Sequence, residues 1–432
     1  MKNVSLMLAI PLALGAWKPL GQIHSCLYTP SPVAAQRAAN DPLREAEDLL
    51  QKQQYAQAEE KLQPLMNDQT KNPQAWFDLG FARSRQSKTK EAIADYQKAV
   101  ELAPDWFEAN LNLGLDLIKS GNPSAAAPVL RHAVELKPAS GGKQATSRAW
   151  LGLAQALEES DPKGSVAAYD RAAELNPEEP ELVTRAGYLL QRNGDLAGAE
   201  QRYAKAAEAG DSNAVSQLVA LLSQQHRYAE AAAWLNKYVT QNPRDAAARV
   251  QLARLLKAEG KNEDATAMLE SARAVSADPE VSRALASLYL DEKQYDKGVS
   301  ILQELAQKNP NDAQLRWDLG SALLHQHKYP EAEKEMLEAL KINPRLESDP
   351  WELAYAAQQD KHYELAIRVL DVRAQRLAET PATYFLRAVA YDSLGAVKPA
   401  AANYRLFLAA DAGKSPEQEF KARHRLKAIE PQ

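Results

Sequence analysis

The feature that most constrains the fold of this chain is a 34-residue amphipathic pattern, seen most clearly over residues 73–106. Trp76, Leu79 and Gly80 recur at i, i+3 and i+4, so they share one face of a first short helix. The residues on one face of a second helix recur at i, i+4 and i+7: Ala92, Tyr96 and Ala99. The stretch therefore predicts two amphipathic helices, each with one buried face.

Residues that start or stop a helix stand at the ends of this pattern. Asn72 followed by Pro73 is a cap and first-turn pair, and Pro104 prevents the second helix from continuing. Gly80 and Ala92 are small enough to let the two helix backbones approach each other. We therefore expect an antiparallel helix pair closed by large side chains on either side of this contact.

The same pattern can be followed along the chain as eleven frames. They begin near Ala39, Pro73, Phe107, Ser147, Pro180, Ser212, Ala246, Pro279, Ala313, Glu347 and Pro381. Each second helix has a small residue near its start: Ala58, Ala92, Ala126, Ser165, Ala199, Ala231, Ala265, Gly298, Ala332, Ala366 and Ala400. Four residues later comes a large one: Leu62, Tyr96, Leu130, Tyr169, Tyr203, Leu235, Leu269, Leu302, Met336, Leu370 and Tyr404. Extra residues around Gly141-Gly142 predict a longer loop there.

These residues and their spacing resemble the tetratricopeptide repeat, whose pattern is W-x2-L-G-x2-Y…A-x3-F…P over 34 residues. Arg83 stands where that pattern has tyrosine. The resemblance implies an all-α fold, an α-solenoid superhelix of stacked antiparallel helix pairs. It also implies that the first helix of each pair lines a concave surface, where extended peptides or segments of partner proteins bind.

Composition agrees with an all-α chain and excludes several classes of function. Only 18 of 432 residues are glycine, and no stretch shows the sustained alternation of a strand. The net charge of −5, without a long run of like charges, gives no reason to expect nucleic acid binding. Cys26 is the single cysteine, which excludes a disulfide framework and a thiolate metal site.

The first 35 residues are interpreted as a leader and spacer. Lys2 and the apolar run 4–16 are typical of a secretory signal, and the run is shorter than the about 20 residues that a membrane span needs. Cleavage is expected after Ala16 or after Ala35, which predicts an exported protein, periplasmic or secreted, without a span in the mature chain. Two alternatives stay open: a retained N-terminal membrane anchor, or a tail without a targeting role.

The predicted solenoid occupies residues 36–414, and residues 415–432 are expected to form a capping helix. Its outer face carries four basic residues: Lys421, Arg423, Arg425 and Lys427. Terminal repeats need one polar face because their neighbour is water. We interpret these charges as a solvated face rather than a phosphate or membrane site.

Candidate binding residues follow from the first helices. At the fifth and ninth frame positions, where partial exposure is expected, one cluster lies early in the chain: Phe77, Phe81, Leu111 and Leu115. A late cluster contains Trp317, Trp351, Tyr355 and Phe385, and Tyr188 lies between the two. Asn112, at the sixth position, is the remaining candidate. Such aromatic anchors carry much of the energy of protein binding. An equal alternative is that neighbouring helices cover these rings.

No motif for catalysis or nucleotide binding is present in the sequence. His325, His327 and His362 fall at neighbouring turns and suit zinc or copper, but polar turn residues are the favoured interpretation. No cofactor is therefore predicted. The sequence predicts a non-enzymatic scaffold that binds partner proteins or peptides, with its oligomeric state open. The alternatives are an assembly subunit of an envelope complex or, less favoured, the regulatory arm of an enzyme.

Overall fold

The computed structural model describes Tyr28 and residues 42–66, 71–139 and 141–430. In these residues it contains 23 α-helices and no strand, which confirms the all-α prediction. The predicted leader, apart from Tyr28, lies outside the described residues. None of the described helices is both long enough and apolar enough to cross a membrane.

The chain divides into two compact units, Met1–Tyr238 and Val239–Gln432, and the division falls within α12. The helices up to this division are α1 Pro42–Gln51, α2 Tyr55–Leu62, α3 Pro73–Arg85, α4 Thr89–Leu102, α5 Phe107–Lys119, α6 Pro123–Ala133, α7 Gly142–Leu157, α8 Pro162–Leu175, α9 Glu181–Arg192, α10 Leu196–Glu208, α11 Ser212–Gln224 and α12 Tyr228–Gln241. The helices of the second unit are α13 Ala246–Ala258, α14 Asn262–Val275, α15 Pro279–Asp291, α16 Tyr295–Lys308, α17 Ala313–His325, α18 Tyr329–Ile342, α19 Trp351–Gln359, α20 Tyr363–Ala374, α21 Pro381–Ser393, α22 Val397–Asp411 and α23 Pro416–Ile429.

Within each unit the helices pack as antiparallel pairs that stack on the following pair. In the first unit, for example, α3 packs against α4, and α5 contacts both helices of that pair. In the second unit α19 packs against α20, and α21 contacts both. The predicted stacking of helix pairs is therefore confirmed in each unit.

Close approach of the paired helices depends on the small residues that the sequence repeats. All eleven small residues of the second helices are buried, and so are all eleven large residues one turn later. Glycines of the first helices complete the contact: a Cβ added at Gly114 would lie 2.5 Å from Cδ2 of Leu130. At Gly187 the added atom would lie 2.9 Å from the Tyr203 ring. These pairs fill the space between the helices without a gap.

The ends of the helices have the predicted caps. The Asn72 side chain accepts a hydrogen bond from the backbone N–H of Gln74 at 3.0 Å, and Asp278 does the same for Glu280 at 2.9 Å. The predicted longer loop precedes Gly142, since residues 134–141 connect α6 to α7 whereas residues 103–106 connect α4 to α5. Gly142 itself already begins α7, which has 16 residues against 13 in α5.

The turn within most helix pairs has one residue with positive φ. Glycine supplies it at Gly121, Gly194, Gly260 and Gly395, and other residues supply it at Gln53, Ser87, His226, Lys293, His327 and Lys361. Residues other than glycine are strained in this left-handed region. Each turn in which a residue other than glycine has positive φ therefore lowers stability slightly, and the packing of the helices offsets this loss.

The C-terminal helix α23 packs on α22. Arg425 donates to both carboxylate oxygens of Asp392 at 2.6 Å, and this pair ties α23 to the preceding repeat. Lys421 pairs with Glu417 at 2.7 Å within the helix, and Arg423 pairs with Glu419 at 3.2 Å. Three of the four predicted basic residues are thus engaged with carboxylates of the chain.

Candidate protein-binding surfaces

The early candidates in the first unit are more buried than the sequence suggested. Phe77 is fully buried, with its ring 4.5 Å from that of Trp106 and 5.7 Å from that of Tyr96 between centroids. Leu111 and Leu115 are buried as well. The expected partial exposure is therefore wrong at these three positions.

The physical reason is the contact between successive first helices, since α5 touches α3 on one side and α7 on the other. A Cβ added at Gly152 of α7 would lie 3.2 Å from Cδ2 of Leu115, so that leucine packs against the next first helix. Asn112 is fully buried, and its amide donates to the Tyr96 hydroxyl at 3.5 Å. These side chains belong to the core between repeats.

Phe81 has a different environment, because it is the centre of a group of rings that we call the first aromatic cluster: Tyr28, Tyr55 and Phe81. Phe81 is 5 % exposed, so the expected partial exposure is wrong at this position too. The Tyr28 ring lies 5.0 Å from it at 37°, and the Tyr55 ring lies 6.1 Å from it edge-on at 70°. The guanidinium of Arg85 lies 5.4 Å from the centre of the Tyr55 ring. Offset and edge-on geometries of this kind stabilise aromatic pairs.

Tyr188, the remaining candidate of the first unit, is half-buried in α9. The Arg185 guanidinium lies 5.1 Å from the centre of its ring. Arg185 also donates to Glu158 at 2.9 Å, and this hydrogen bond holds the guanidinium in place. One face of the tyrosine ring is therefore engaged by a fixed cation.

In the second unit, Trp351 and Tyr355 stack at 5.4 Å with an angle of 12° between their planes. They lie four residues apart on one face of α19. Tyr329, the first residue of α18, meets Tyr355 edge-on at 6.4 Å and 80°. All three residues are partly buried and keep part of their surface exposed. We call Tyr329, Trp351 and Tyr355 the second aromatic cluster.

Polar contacts fix the position of Trp351 at the start of α19. Asp349 accepts a hydrogen bond from the Trp351 backbone N–H at 3.0 Å. Arg373 donates to the two Asp349 oxygens at 2.7 and 2.9 Å, and this lowers the pKa of Asp349 below its ordinary value. The indole Nε1 of Trp351 is buried and has no acceptor among the described residues. Burial also raises the pKa of Tyr355.

The other two late candidates do not join this cluster. Trp317 is buried with Met336 and Leu346, so its expected partial exposure is wrong. Phe385 is half-buried, and its ring faces the second helix of its own pair, 5.0 Å from Phe407. Of the four late residues predicted as one cluster, only Trp351 and Tyr355 stack on each other, while Trp317 and Phe385 pack in two other parts of the core.

The prediction missed the tyrosine that begins a second helix. Tyr55 meets Phe81, and Tyr329 meets Tyr355, at the same spacing of 26 residues. A signal was present, because tyrosine follows the turn as the first residue of α2, α12, α16, α18 and α20. Phe81 and Tyr355 occupy the ninth position of a first helix, and each therefore contacts the aromatic residue that begins the preceding second helix.

The three histidines weighed as metal ligands have different partners. His325 stacks on Tyr295 at 5.5 Å, and His327 Nδ1 lies 2.9 Å from the Tyr329 hydroxyl. His362 Nδ1 lies 2.9 Å from a Glu333 oxygen and 3.6 Å from an oxygen of Asp360. In the described residues, these last three are the only group of three possible ligands within 4.8 Å of one another.

The register of the repeats explains this group without a metal. Glu59 pairs with Lys88 at 2.6 Å, and Glu200 pairs with Arg227 at 2.6 Å. In both pairs a carboxylate one residue after the small alanine meets a cation in the next turn, as Glu333 does with His362. His362 thus takes the place of a lysine or arginine in an ion pair between repeats. The hydrogen bond to Glu333 accordingly raises the pKa of His362.

Comparison with known proteins gives matches to family models described as tetratricopeptide repeat. They extend over residues 73–106, 111–180, 156–214, 222–288 and 289–357, which together make more than half of the chain. No curated protein matches the sequence.

Solved structures similar to the chain include MamA of Desulfovibrio magneticus RS-1, 22% identical, which covers 40% of this chain and 97% of its own with a TM-score of 0.35. The pilF protein of Pseudomonas aeruginosa is 21% identical and covers 49% of this chain and 96% of its own, with a TM-score of 0.42. Yeast Tom70 is 13% identical and covers 90% of this chain and 94% of its own, with a TM-score of 0.34.

Proposed function

Because the chain belongs to the tetratricopeptide-repeat family, whose members typically act as interaction scaffolds without catalytic activity, we propose that it binds an extended segment of a partner protein through the second aromatic cluster. We further propose that it does so after export, either in the periplasm or outside the cell. The export rests on the charged and apolar pattern of Lys2 and residues 4–16.

The observation that carries the proposal is the stacked pair of Trp351 and Tyr355. Phe77 and Phe81, at early candidate positions, are buried, whereas Trp351, Tyr355 and Tyr329 keep part of their surface exposed. Tryptophan and tyrosine are enriched among the residues that dominate the energy of protein interfaces. Stacked rings offer flat apolar faces on which proline, aliphatic or aromatic side chains of a partner can pack.

The test begins with selection of binding peptides from a displayed random library on the purified full chain. The affinity of the best peptide is then measured by fluorescence anisotropy for the full chain and for the double variant Trp351→Ala/Tyr355→Ala. Each hot spot contributes about 2 kcal/mol or more, and every 1.4 kcal/mol is about tenfold in affinity, so we expect at least a hundredfold loss. The matched control is Phe420→Ala, which removes a 71 % exposed ring from α23 of the same unit.

Equal affinity for the double variant and the full chain, with unchanged circular dichroism, would refute the second aromatic cluster as the binding site. Export is tested separately, by fractionating the cells and sequencing the N terminus of the mature protein. A mature chain beginning after Ala16 or Ala35 supports export, and an intact N terminus in the cytoplasmic fraction contradicts it.

A further inference from the structure

The first unit contains a side chain whose position neither the repeats nor the family explains. Tyr28 precedes the first helix by 13 residues, in the stretch that the sequence marks as leader and spacer. Its ring nevertheless lies 5.0 Å from that of Phe81, and it packs half-buried against the main core of the first unit. Its hydroxyl is buried as well.

The two aromatic clusters share a pattern of contacts, although the closer ring is stacked at 12° in the second cluster and tilted at 37° in the first. In each, the ring at the ninth position of a first helix meets, edge-on, the tyrosine that begins the preceding second helix. In each, a further ring lies closer, at 5.4 Å from Tyr355 and at 5.0 Å from Phe81. For Tyr355 this ring is Trp351 of the same helix, whereas for Phe81 it is Tyr28.

The helix of Phe81 cannot supply this closer ring itself. The residue one turn earlier is Phe77, which corresponds to Trp351 in the other cluster. Phe77 is instead fully buried between Trp106 and Tyr96, at 4.5 and 5.7 Å. Phe77 is therefore engaged elsewhere, and the Tyr28 ring lies nearer to Phe81 than the Tyr55 ring of α2 does.

We propose that Phe81 and Tyr55 form a binding site for a tyrosine in a segment outside the repeats, and that Tyr28 of the same chain occupies this site. The recognised chemistry is an aromatic ring that packs on Phe81 with its hydroxyl buried, while Tyr55 contacts Phe81 edge-on and holds that ring in place. The occupant is the chain itself, so any other tyrosine-containing segment must displace Tyr28 before it binds. This site lies in the first unit and is independent of the function proposed for the second aromatic cluster.

The two expected cleavage points differ in whether Tyr28 remains in the mature protein. Cleavage after Ala16 keeps Tyr28 on the protein and leaves the site occupied. Cleavage after Ala35 removes Tyr28 and opens the site to a segment of another protein. Linkage within one chain typically gives an effective concentration on the order of 1 mM. If the segment around Tyr28 binds its site with a dissociation constant on the order of 100 μM, it therefore weakens the binding of any other segment about tenfold.

The first test places a photo-crosslinking residue at the tyrosine, Tyr28→p-benzoylphenylalanine, in the full chain. After irradiation, we expect a crosslink within one chain to the peptide that contains Phe81 or Tyr55. The matched control, Phe420→p-benzoylphenylalanine, places the same group on an exposed ring of α23 and is expected to give no crosslink to α3. Crosslinks from position 28 that map elsewhere, or that join an isotopically labelled copy to an unlabelled one, would overturn occupation by the same chain.

The second test measures binding of a synthetic peptide of residues 22–34, with Cys26→Ser, to full-length chains. We expect saturable binding to the Tyr28→Ala chain and about tenfold weaker binding to the unchanged chain, where the tethered tyrosine competes. A peptide that also carries Tyr28→Ala is expected to lose at least tenfold in affinity. Equal binding to both chains, or equal binding of both peptides, would refute the site. Circular dichroism of the Tyr28→Ala chain checks that the repeats remain folded.

Discussion

Gly114 gives the sharpest test of how the helix pairs pack. It lies in α5, opposite Leu130 of α6, which is fully buried. A Cβ at position 114 would lie 2.5 Å from Cδ2 of Leu130. The best separation of two carbon atoms is about 3.5–4.0 Å, so Gly114→Ala forces an overlap of about 1 Å.

Two opposing effects set the size of the change. Alanine favours a helix over glycine by about 1 kcal/mol. Overpacking a core costs about 1–3 kcal/mol, and the upper part of this range applies because Leu130 has no solvent into which it can turn. We therefore expect Gly114→Ala to lower the free energy of unfolding by about 1–2 kcal/mol.

A double-mutant cycle with Leu130→Ala separates these effects. In that background the space around position 114 is open, so the same Gly114→Ala change should stabilise the protein by about 1 kcal/mol through helix propensity alone. The sign of the effect is thus predicted to reverse, with a coupling of about 2–3 kcal/mol between the two positions.

Urea unfolding followed by circular dichroism measures the four chains of the cycle. Repeat proteins also open locally, so hydrogen exchange of the backbone amides of α5 and α6 is measured beside it. If Gly114→Ala stabilises the unchanged chain, or if the two substitutions act additively, the close contact between α5 and α6 is not what limits residue size at position 114.

Two further predictions concern turns within the repeats. Glu333 raises the pKa of His362, and Asp360 also faces the imidazole. The charged pair should therefore stabilise the fold fully below about pH 6.5. This stabilisation should disappear as the pH rises through the raised pKa of His362. His362→Lys should remove this decline in the urea midpoint between about pH 6 and pH 8, and an unchanged decline would contradict the pairing. Lys293 has φ +61°, so Lys293→Gly should raise the free energy of unfolding by about 0.5–1 kcal/mol. Gly194 has φ +85°, and no atom lies within reach of a new Cβ there, so Gly194→Ala should lower the free energy of unfolding by about 1 kcal/mol. Thermal unfolding measures both variants, and a destabilised Lys293→Gly or a stabilised Gly194→Ala would refute backbone strain in these turns.

The repeat architecture could be predicted because its signals are local. A small residue followed one turn later by a large one, as at Ala92 and Tyr96, specifies a contact within one helix pair. Both residues are fully buried, as the register requires. Caps such as Asn72 depend on neighbours two or three residues away, and they too were predicted correctly.

The exposure of the first-helix candidates could not be predicted in the same way. Whether Phe77 and Leu111 are covered depends on how closely the next first helix approaches, and this distance depends on residues such as Gly152 in another repeat. The sequence places Trp317 and Trp351 at equivalent positions, yet Trp317 is buried and Trp351 keeps part of its surface exposed. Leu346, in the connection after α18, packs with Trp317 and helps to cover it.

The aromatic partners of the clusters were missed for a related reason. Tyr55 and Tyr329 belong to second helices, whereas the repeat pattern places binding residues on the first helices. Tyr28 lies outside the repeats altogether, and no periodicity could connect it with Phe81. Its contact is a tertiary one, formed between parts of the chain that are 53 residues apart.

Hydrogen exchange of the full chain, with and without a peptide selected for binding, tests the central claim most directly. The account predicts that the peptide slows exchange at the start of α18, around Tyr329, and along α19, while the Trp351→Ala/Tyr355→Ala chain shows no change. Protection that falls on other helices and leaves α19 at its unbound rate would contradict the assignment of the second aromatic cluster as the partner-binding site.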